Sequence, residues 1–511
     1  MTAPLRQHLL FLTTFIACGV LSAAPPNILL IVSEDNGPEL GCYGDPYART
    51  PNLDRLAAEG IRFNRAFVPQ AGCSQSRASF LTGLYPHQHG QIGLATWNFR
   101  LYRKDIPNLP RSLKAIGYRT GLIGKLHINP ASAFPFDFHE IAGANFSRKN
   151  LSDYAKHAAT FINTGKTPFF LSINFPDAHD PWLRQAGGLP KRPQTGAEVK
   201  AMPYMGIDPP AMREMIADYY NSLSRLDTLV GDLLAVLQRS GKEENTIVVY
   251  LGDHGADMLR GKRTCYEGGV RIPLLLRWLG RVKPQTREEL VSTIDLMPSL
   301  LAAAEAPPVP GLPGRALQPL FDRGPVAWRT DLFTEYHTHG AGNYFPQRAV
   351  RNNRFKLIEN LLSGDAHPDY EATLSKIVGE AKLSAPTDTL DPHAAIAAAS
   401  PEVREAYARM HRPPRYELYD LKADPYEFRN LAGEPRHAKI LKKLQQQLAF
   451  WRAQTNDPLL KDENLLRLKA EIRSVKNKKT AKSRPWGYPD YFFGREPAPA
   501  PPAKKKNTKK T

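Results

Sequence analysis

A chain of 511 residues, 42% hydrophobic and 23% charged, can bury a large core and is too apolar for a disordered polymer. With four cysteines it cannot be a disulfide scaffold. Its formal charge of +18 is unevenly spread: residues 472–511 hold twelve Lys and Arg against Asp490 and Glu496, so +10 of it comes from this short end, and the +8 spread over the other 471 residues does not argue for a nucleic-acid binder.

At the N-terminus, Arg6 and His8 precede an apolar run from Leu9 to Leu21 and the small residues Ser22-Ala23-Ala24. That pattern predicts an export signal over 1–24, too short for a comfortable membrane span. The mature chain is expected to start near Pro25 and to act in the periplasm or outside the cell. The alternative is a lipoprotein processed and lipidated at Cys18, which alone would tie it to a membrane. Removing the signal leaves Cys42, Cys73 and Cys265, an odd number in an exported protein, and Cys73 is the natural candidate for a special fate.

Asn27 to Val32 reads as a fully buried strand and runs into Ser33-Glu34-Asp35-Asn36-Gly37. Two adjacent carboxylates straight after a buried strand are costly unless something binds them. Thr50 and Pro51 start a helix that Gly60 ends, and Phe63 to Val68 leads into Cys73-Ser74-Gln75-Ser76-Arg77-Ala78-Ser79-Phe80-Leu81-Thr82-Gly83. This second stretch predicts a helix with Cys73 at its mouth and Arg77 one turn on, on the same side.

The pattern then repeats. Arg119 to Ile123 is strand-like and ends on Gly124-Lys125-Leu126-His127; Phe169 to Phe175 ends on Asp177-Ala178-His179; Thr246 to Leu251 ends on Gly252-Asp253-His254-Gly255. Helical periods fill the gaps at Leu151–Ile162 and about Pro210–Ser240, and Asp295–Ala304 follows. Strands alternating with helices imply an α/β domain, 25–343, around a large, mostly parallel sheet flanked by helices. From about Tyr344 the character changes. Arg348–Leu357 and Glu417–Leu421 as strands and Lys439–Trp451 as a helix indicate a smaller α+β domain, 344–471, in which Ala366–Pro401 has no clear reading. Residues 472–511 read as a basic disordered tail that either grips a polyanion or is simply solvated.

One carboxylate after a strand is usually a helix cap; four polar clusters past four strand ends mark the edge where open α/β sheets bind ligands. Glu34, Asp35, Asp253 and His254 form an oxygen-rich set suited to Ca²⁺ or Mg²⁺, with room for Mn²⁺ through the imidazole. Lys125, Lys262 and Arg77 are cations suited to an oxyanion, and His127 and His179 are candidate proton carriers. Each alone reads equally well as a loop or core residue; their shared position raises them together.

Cys73-Ser74-Gln75-Ser76-Arg77 with Leu81-Thr82-Gly83 resembles the signature of the type I sulfatases, and within them the sulfamidase (heparan N-sulfatase) branch, through runs such as Arg119–Lys125 and Pro135–Phe138. The resemblance implies an alkaline-phosphatase-like fold. It also implies conversion of Cys73 to formylglycine by a formylglycine-generating enzyme, and a sulfated polysaccharide or oligosaccharide as substrate. In that scheme hydrated formylglycine attacks sulfur, a divalent metal (Ca²⁺ first) at Glu34, Asp35, Asp253 and His254 joins Lys125, His179 and Lys262 in holding the sulfate, His179 protonates the leaving atom, His127 serves the release step, and Arg77 positions residue 73. His337 and His339 are candidate substrate contacts. Three residues depart from the pattern: Gln75 for the usual Pro or Ala, Glu34 for Asp, and His254 for the Asn of sulfamidases. Two other functions fit the same residues: a phosphoester or phosphonate hydrolase of the same superfamily, and a silent polyanion-binding relative.

Overall fold

The computed structural model describes residues 24–483 and 485–493. At its centre is β1 (Asn27–Ser33), every residue of which is buried. Leu29 and Ile31 enter one apolar layer, and Ile28, Leu30 and Val32 the other. A strand alternates in this way when both its faces are covered.

The sheet continues through β2 (Ile61–Phe67), β3 (Arg119–Gly124), β4 (Phe138–Glu140), β5 (Phe169–Asn174), β6 (Thr246–Gly252), β7 (Arg271–Arg277), β8 (Gln285–Arg287) and β9 (Val291–Ser292). Its order is β4-β3-β5-β1-β6-β7-β2-β8, with β9 beside β2. β3, β5, β1 and β6 are parallel neighbours, whereas β7 runs antiparallel to both β6 and β2. Helices Pro51–Ala58, Asp153–Asn163 and Pro210–Arg239 cover one face; Cys73–Thr82 and Leu296–Ala303 cover the other. Among the described residues no helix is long and apolar enough to cross a membrane.

Register sets the site. Val32 and Gly124 both pair with Asn174, and Ser33 pairs with Gly252. The residues that follow these strands therefore emerge side by side along one edge. Gly124 has a φ of +89°, and a Cβ there would strike the Asn174 carbonyl, so glycine is what lets β3 pass this close to β5.

A second, antiparallel sheet follows in the order β10 (Leu332–Tyr336), β11 (Gln347–Arg351), β12 (Phe355–Asn360) and β13 (Tyr416–Asp420). The helix Ala438–Gln454 packs on it through Leu444, Leu448 and Trp451. This region differs from the sequence-based expectation in four ways. The sheet begins before residue 344, at Leu332. The run Arg348–Leu357 is a hairpin, turned at Asn352–Arg354, and not one strand. The unassigned stretch 366–401 forms helices Asp369–Ser384 and Pro392–Ala397, and the first packs Leu374 and Ile377 into the core around Pro210–Arg239.

The fourth difference is the basic end. Residues 472–493 were expected in the tail, yet short helices Lys478–Ser483 and Tyr488–Phe493 fold onto the large domain, with Val475, Ala481, Trp486 and Tyr488 buried. Lysines dominate this segment by count, but aromatic side chains decide its fate. A fully buried large apolar side chain contributes about 1.5–3 kcal/mol. The remainder of the expected tail (494–511) and the expected export signal, up to residue 23, lie outside the described residues.

Candidate active site

Arg77 organises the edge. Buried one turn into the helix Cys73–Thr82, it reaches the ends of four strands. Nε donates to Asp253 Oδ2 at 3.2 Å after β6, and Nη2 donates to Glu34 after β1. Nη1 donates to Asn174 Oδ1 at 2.6 Å in β5 and to the Lys125 carbonyl at 3.1 Å after β3. Backbone bonds add to this: Asp253 N donates to Ser33 O, and Asp35 N to Asp253 Oδ1, both at 2.9 Å.

Cys73 is the first residue of its helix, and its Sγ lies 3.3 Å from His254 Nε2 and 4.0 Å from Asp35 Oδ1. Lys262 Nζ donates to both Asp35 oxygens at 3.0 Å, and Lys125 Nζ to Glu34 Oε2 at 2.6 Å. Burial alone would push the Cys73 thiol up, but Lys125, Lys262 and His254 bring it down to about 6. Burial works against the charged form of His254 too, yet Asp253, Cys73 and Asp35 raise it to about 9. Burial and the neighbouring Glu34 carboxylate push Asp253 up to about 6. Glu34 itself resists its burial and is held well below the usual carboxylate range by Arg77, Lys125 and His179. Despite burial, Asp35 and Cys73 hold Lys262 well above the ordinary lysine value.

Among the described residues three groups of donor atoms that share Asp35 each lie within 4.8 Å: Glu34, Asp35, Cys73 and His179; Asp35, Cys73, Asp253 and His254; and Asp35, Asp180 and Asp257. The four residues expected to bind metal are thus brought together, although not as one closed set. His254 Nε2 faces Asp35 Oδ1 at 3.3 Å and Asp253 Oδ1 at 3.6 Å, so its proton occupies a strongly anionic corner. A ligating imidazole must be neutral, and a divalent cation would displace that proton. Three buried carboxylates and one imidazole fit a hard divalent ion.

A cavity of about 490 Å³ opens over Cys73, floored by Lys125, His127 and His179 and walled by Leu94, Leu126 and Phe146, with His339 on its edge. His179 stacks on Phe146 at 3.8 Å, its Nδ1 is 2.6 Å from Asp180 O, and its Nε2 is 3.9 Å from Asp35 Oδ2. His127 is also brought here, and neither of its buried ring nitrogens has a partner among the described residues. Burial, then Lys125, keeps its imidazole well below the usual range and so neutral. A larger cavity of about 700 Å³ lies at the domain junction near Arg271 and Tyr426, and it contains none of these groups. The chemistry is with the smaller one.

A profile described as sulfatase matches residues 26–306, and one described as N-sulphoglucosamine sulphohydrolase, C-terminal, matches 252–372. Human N-sulphoglucosamine sulphohydrolase is 31% identical over 486 residues, covering 86% of this chain and 92% of its own length. The chain belongs to the sulfatase family. It is a sulfuric ester hydrolase. Human arylsulfatase A is 32% identical over 489 residues, covering 84% of this sulfatase and 89% of its own length. A solved structure in complex with its substrate, D-glucosamine-2-N,6-O-disulfate, superposes with a TM-score of 0.61 at 19% identity, covering 85% of this chain and 98% of that one. The phosphonate monoester hydrolase of Agrobacterium radiobacter does so with 0.62 at 18%, covering 84% and 96%. At such identity these two share the fold, which is alkaline-phosphatase-like.

One sequence-based assignment is corrected. His337 is fully buried 3.5 Å from Glu335 in the domain interior and does not line the cavity; of that pair only His339 does. The sulfatase also uses residues the motifs did not mark. Asn174 anchors Arg77. Asp257 lies 3.6 Å from Lys262, and Lys376 of the Asp369–Ser384 helix pairs with both Asp257 and Asp180. Asn174 ends a buried apolar strand, which is a faint signal; Lys376 sits more than 100 positions from Asp257 and gives none. Gln75 is buried, and its Nε2 donates to Thr338 O at 2.7 Å and Ile92 O at 3.3 Å, tying the first helical turn to the loop after β10.

Proposed function

We propose that this sulfatase is an exported enzyme that removes sulfate from a sulfated glycan, as an ester or a sulfamate, with residue 73 matured to formylglycine and a divalent ion, Ca²⁺ first, at Glu34, Asp35, Asp253 and His254. The observation that carries the reading is the nucleophile position itself: buried Cys73 lines the cavity beside Lys125, and Lys262 and His254 converge on it from behind, which is what a tetrahedral oxyanion needs. Sulfamate is supported by the name of the human relative and export by the basic, apolar and small-residue order of the first 24 residues.

The bound ion supplies positive charge at the sulfate oxygens, and formylglycine, as its hydrate, supplies the attacking hydroxyl. The chain's own residues do the rest. Lys125 and Lys262, held protonated against burial by Cys73 and Glu34 and by Asp35 and Cys73 respectively, neutralise the charge that grows on the sulfate. His179, oriented by its Nδ1 contact to Asp180 O, gives a proton to the leaving oxygen or nitrogen. His127, neutral and without a partner among the described residues, accepts a proton as residue 73 returns to its resting form. Arg77 fixes the helix mouth and touches no substrate.

The test is a matched pair of aryl esters, one sulfate and one phosphate, together with glucosamine N-sulfate. The account expects sulfate and sulfamate to be cleaved far faster than phosphate. Dominant phosphate cleavage would overturn it in favour of a phosphoester or phosphonate hydrolase.

A further inference from the structure

The segment after Arg473 reaches the mouth of the active-site cavity. Asn98 Nδ2 donates to the Ala481 carbonyl at 3.2 Å, and Trp486 Nε1 donates to the Trp97 carbonyl at 2.8 Å. Trp486 stacks on Phe99 with ring centroids 4.4 Å apart, and the Tyr488 hydroxyl donates to the Gly90 carbonyl at 2.8 Å. The gripped loop, roughly 90–100, is the one that gives Leu94 and Thr96 to the cavity wall. It is fixed in turn to the Cys73 helix, because Ala95 N donates to Ser74 Oγ at 2.9 Å. Strap, wall and nucleophile helix are therefore one connected body.

This strap places Lys478 on the cavity lining. Lys478 is exposed, and among the described residues its ammonium makes no hydrogen bond or ion pair. It differs in this from Lys125 on the floor, which is buried and bonded to Glu34. A volume of about 490 Å³ holds far more than a sulfate group; small-molecule sites run from about 300 to 1,000 Å³. Leu94, Leu126 and Phe146 suit the apolar face of a sugar ring, which leaves an unpaired cation at the rim, away from the buried cations of the floor.

We propose that Lys478 is a specificity-determining residue that receives a second anionic group, carboxylate or sulfate, carried by the glycan whose scissile sulfate lies over Cys73. The assignment rests on the glycan sulfatase reading of this cavity. A flexible ammonium gains little from neutral hydroxyls but makes charge-assisted hydrogen bonds with anionic oxygens.

The experiment compares wild type, Lys478→Gln and Lys478→Arg on glucosamine N-sulfate, glucosamine 2-N,6-O-disulfate and an N-sulfated disaccharide bearing a hexuronate. Lys478→Gln should lower kcat/KM about three- to tenfold more for a doubly charged substrate than for glucosamine N-sulfate, mainly through KM, and the gap should shrink in high salt. Lys478→Arg should restore the preference. Whichever doubly charged substrate loses more identifies sulfate or carboxylate as the group held. Equal effects on all three substrates, or none at low ionic strength, would overturn the assignment. A wild type that turns over none of them defeats the functional reading alone. Lys478 is then judged by calorimetric binding of glucose 6-sulfate and glucuronate: weaker binding of either to Lys478→Gln supports it, and unchanged binding of both refutes it.

Discussion

Two buried ionic networks in this protein look alike in composition and differ in purpose. One surrounds Cys73. The other joins the large domain to the antiparallel sheet: His87 Nδ1 meets Glu335 Oε2 at 2.5 Å, Arg348 grips both oxygens of Asp457 at 2.8 Å, and Arg452 bridges Asp457 at 2.7 Å and Glu359 at 3.2 Å. In this junction network the carboxylates are met by cations, and none of its residues lines the cavity over Cys73. Around Cys73, groups face open space: Lys125, His127 and His179 line a cavity. Buried charge therefore does not mark function here. Buried charge left facing a cavity does.

Breaking the junction should give the largest effect, and it should appear in stability. Arg348→Ala strands Asp457 without its main cation and takes the second cation from Glu335, and losing one partner of a buried pair costs about 3–5 kcal/mol. Urea unfolding should show that loss; a loss under 1 kcal/mol would mean the pairs are not intact. At the Cys73 floor the effect should move to catalysis. Lys125→Gln should lower kcat about 10²–10³-fold, the scale for removing one preorganised charge-stabilising donor, with a smaller change in unfolding. Metal should separate the networks next. Ca²⁺ at about 100 times its Kd should stabilise the wild type by about 2.7 kcal/mol, and Asp253→Asn should abolish that gain while Arg348→Ala retains it.

Acid sharpens the same contrast. Burial works against the ionised forms of Glu335 and Asp457, but His87 and Arg348 hold Glu335, and Arg348, His87 and Arg452 hold Asp457, well below the usual carboxylate range. Their folded values lie below their unfolded ones. The stabilisation is therefore complete above about pH 4, the unfolded carboxylate value, and is lost as pH falls through the folded values. Stability measured by urea from pH 6 to pH 2 should fall in that window, and the Arg348→Ala curve should be flatter. The smallest effect is expected at Gln75→Ala, about 1 kcal/mol for its bonds to the Thr338 and Ile92 carbonyls.

Much of the floor was legible in the sequence because buried parallel strands are continuous apolar runs, so the polar residues that end them stand out. Glu34, Lys125 and Asp253 were found this way, and their convergence then follows from parallel register. What stayed hidden depends on distant partners. β7 begins at Arg271 and holds Pro273, which obscures a strand that is sealed by β6 and β2 on either side. Lys376 lies in a stretch without clear periodicity that is made helical by packing on Pro210–Arg239. His337 shares a loop motif with His339, and only the fold shows that one faces the interior and the other the cavity. In the basic segment, net charge masks Trp486 and Tyr488 in the sequence, whereas burial of those rings outweighs charge in the folded chain.

The account depends most on what residue 73 is in the working enzyme. Peptide mass spectrometry across Ala66–Arg77, on protein made in its own host, measures that directly. The account predicts formylglycine at 73 in the active protein; an intact Cys73 thiol throughout such a preparation would contradict it.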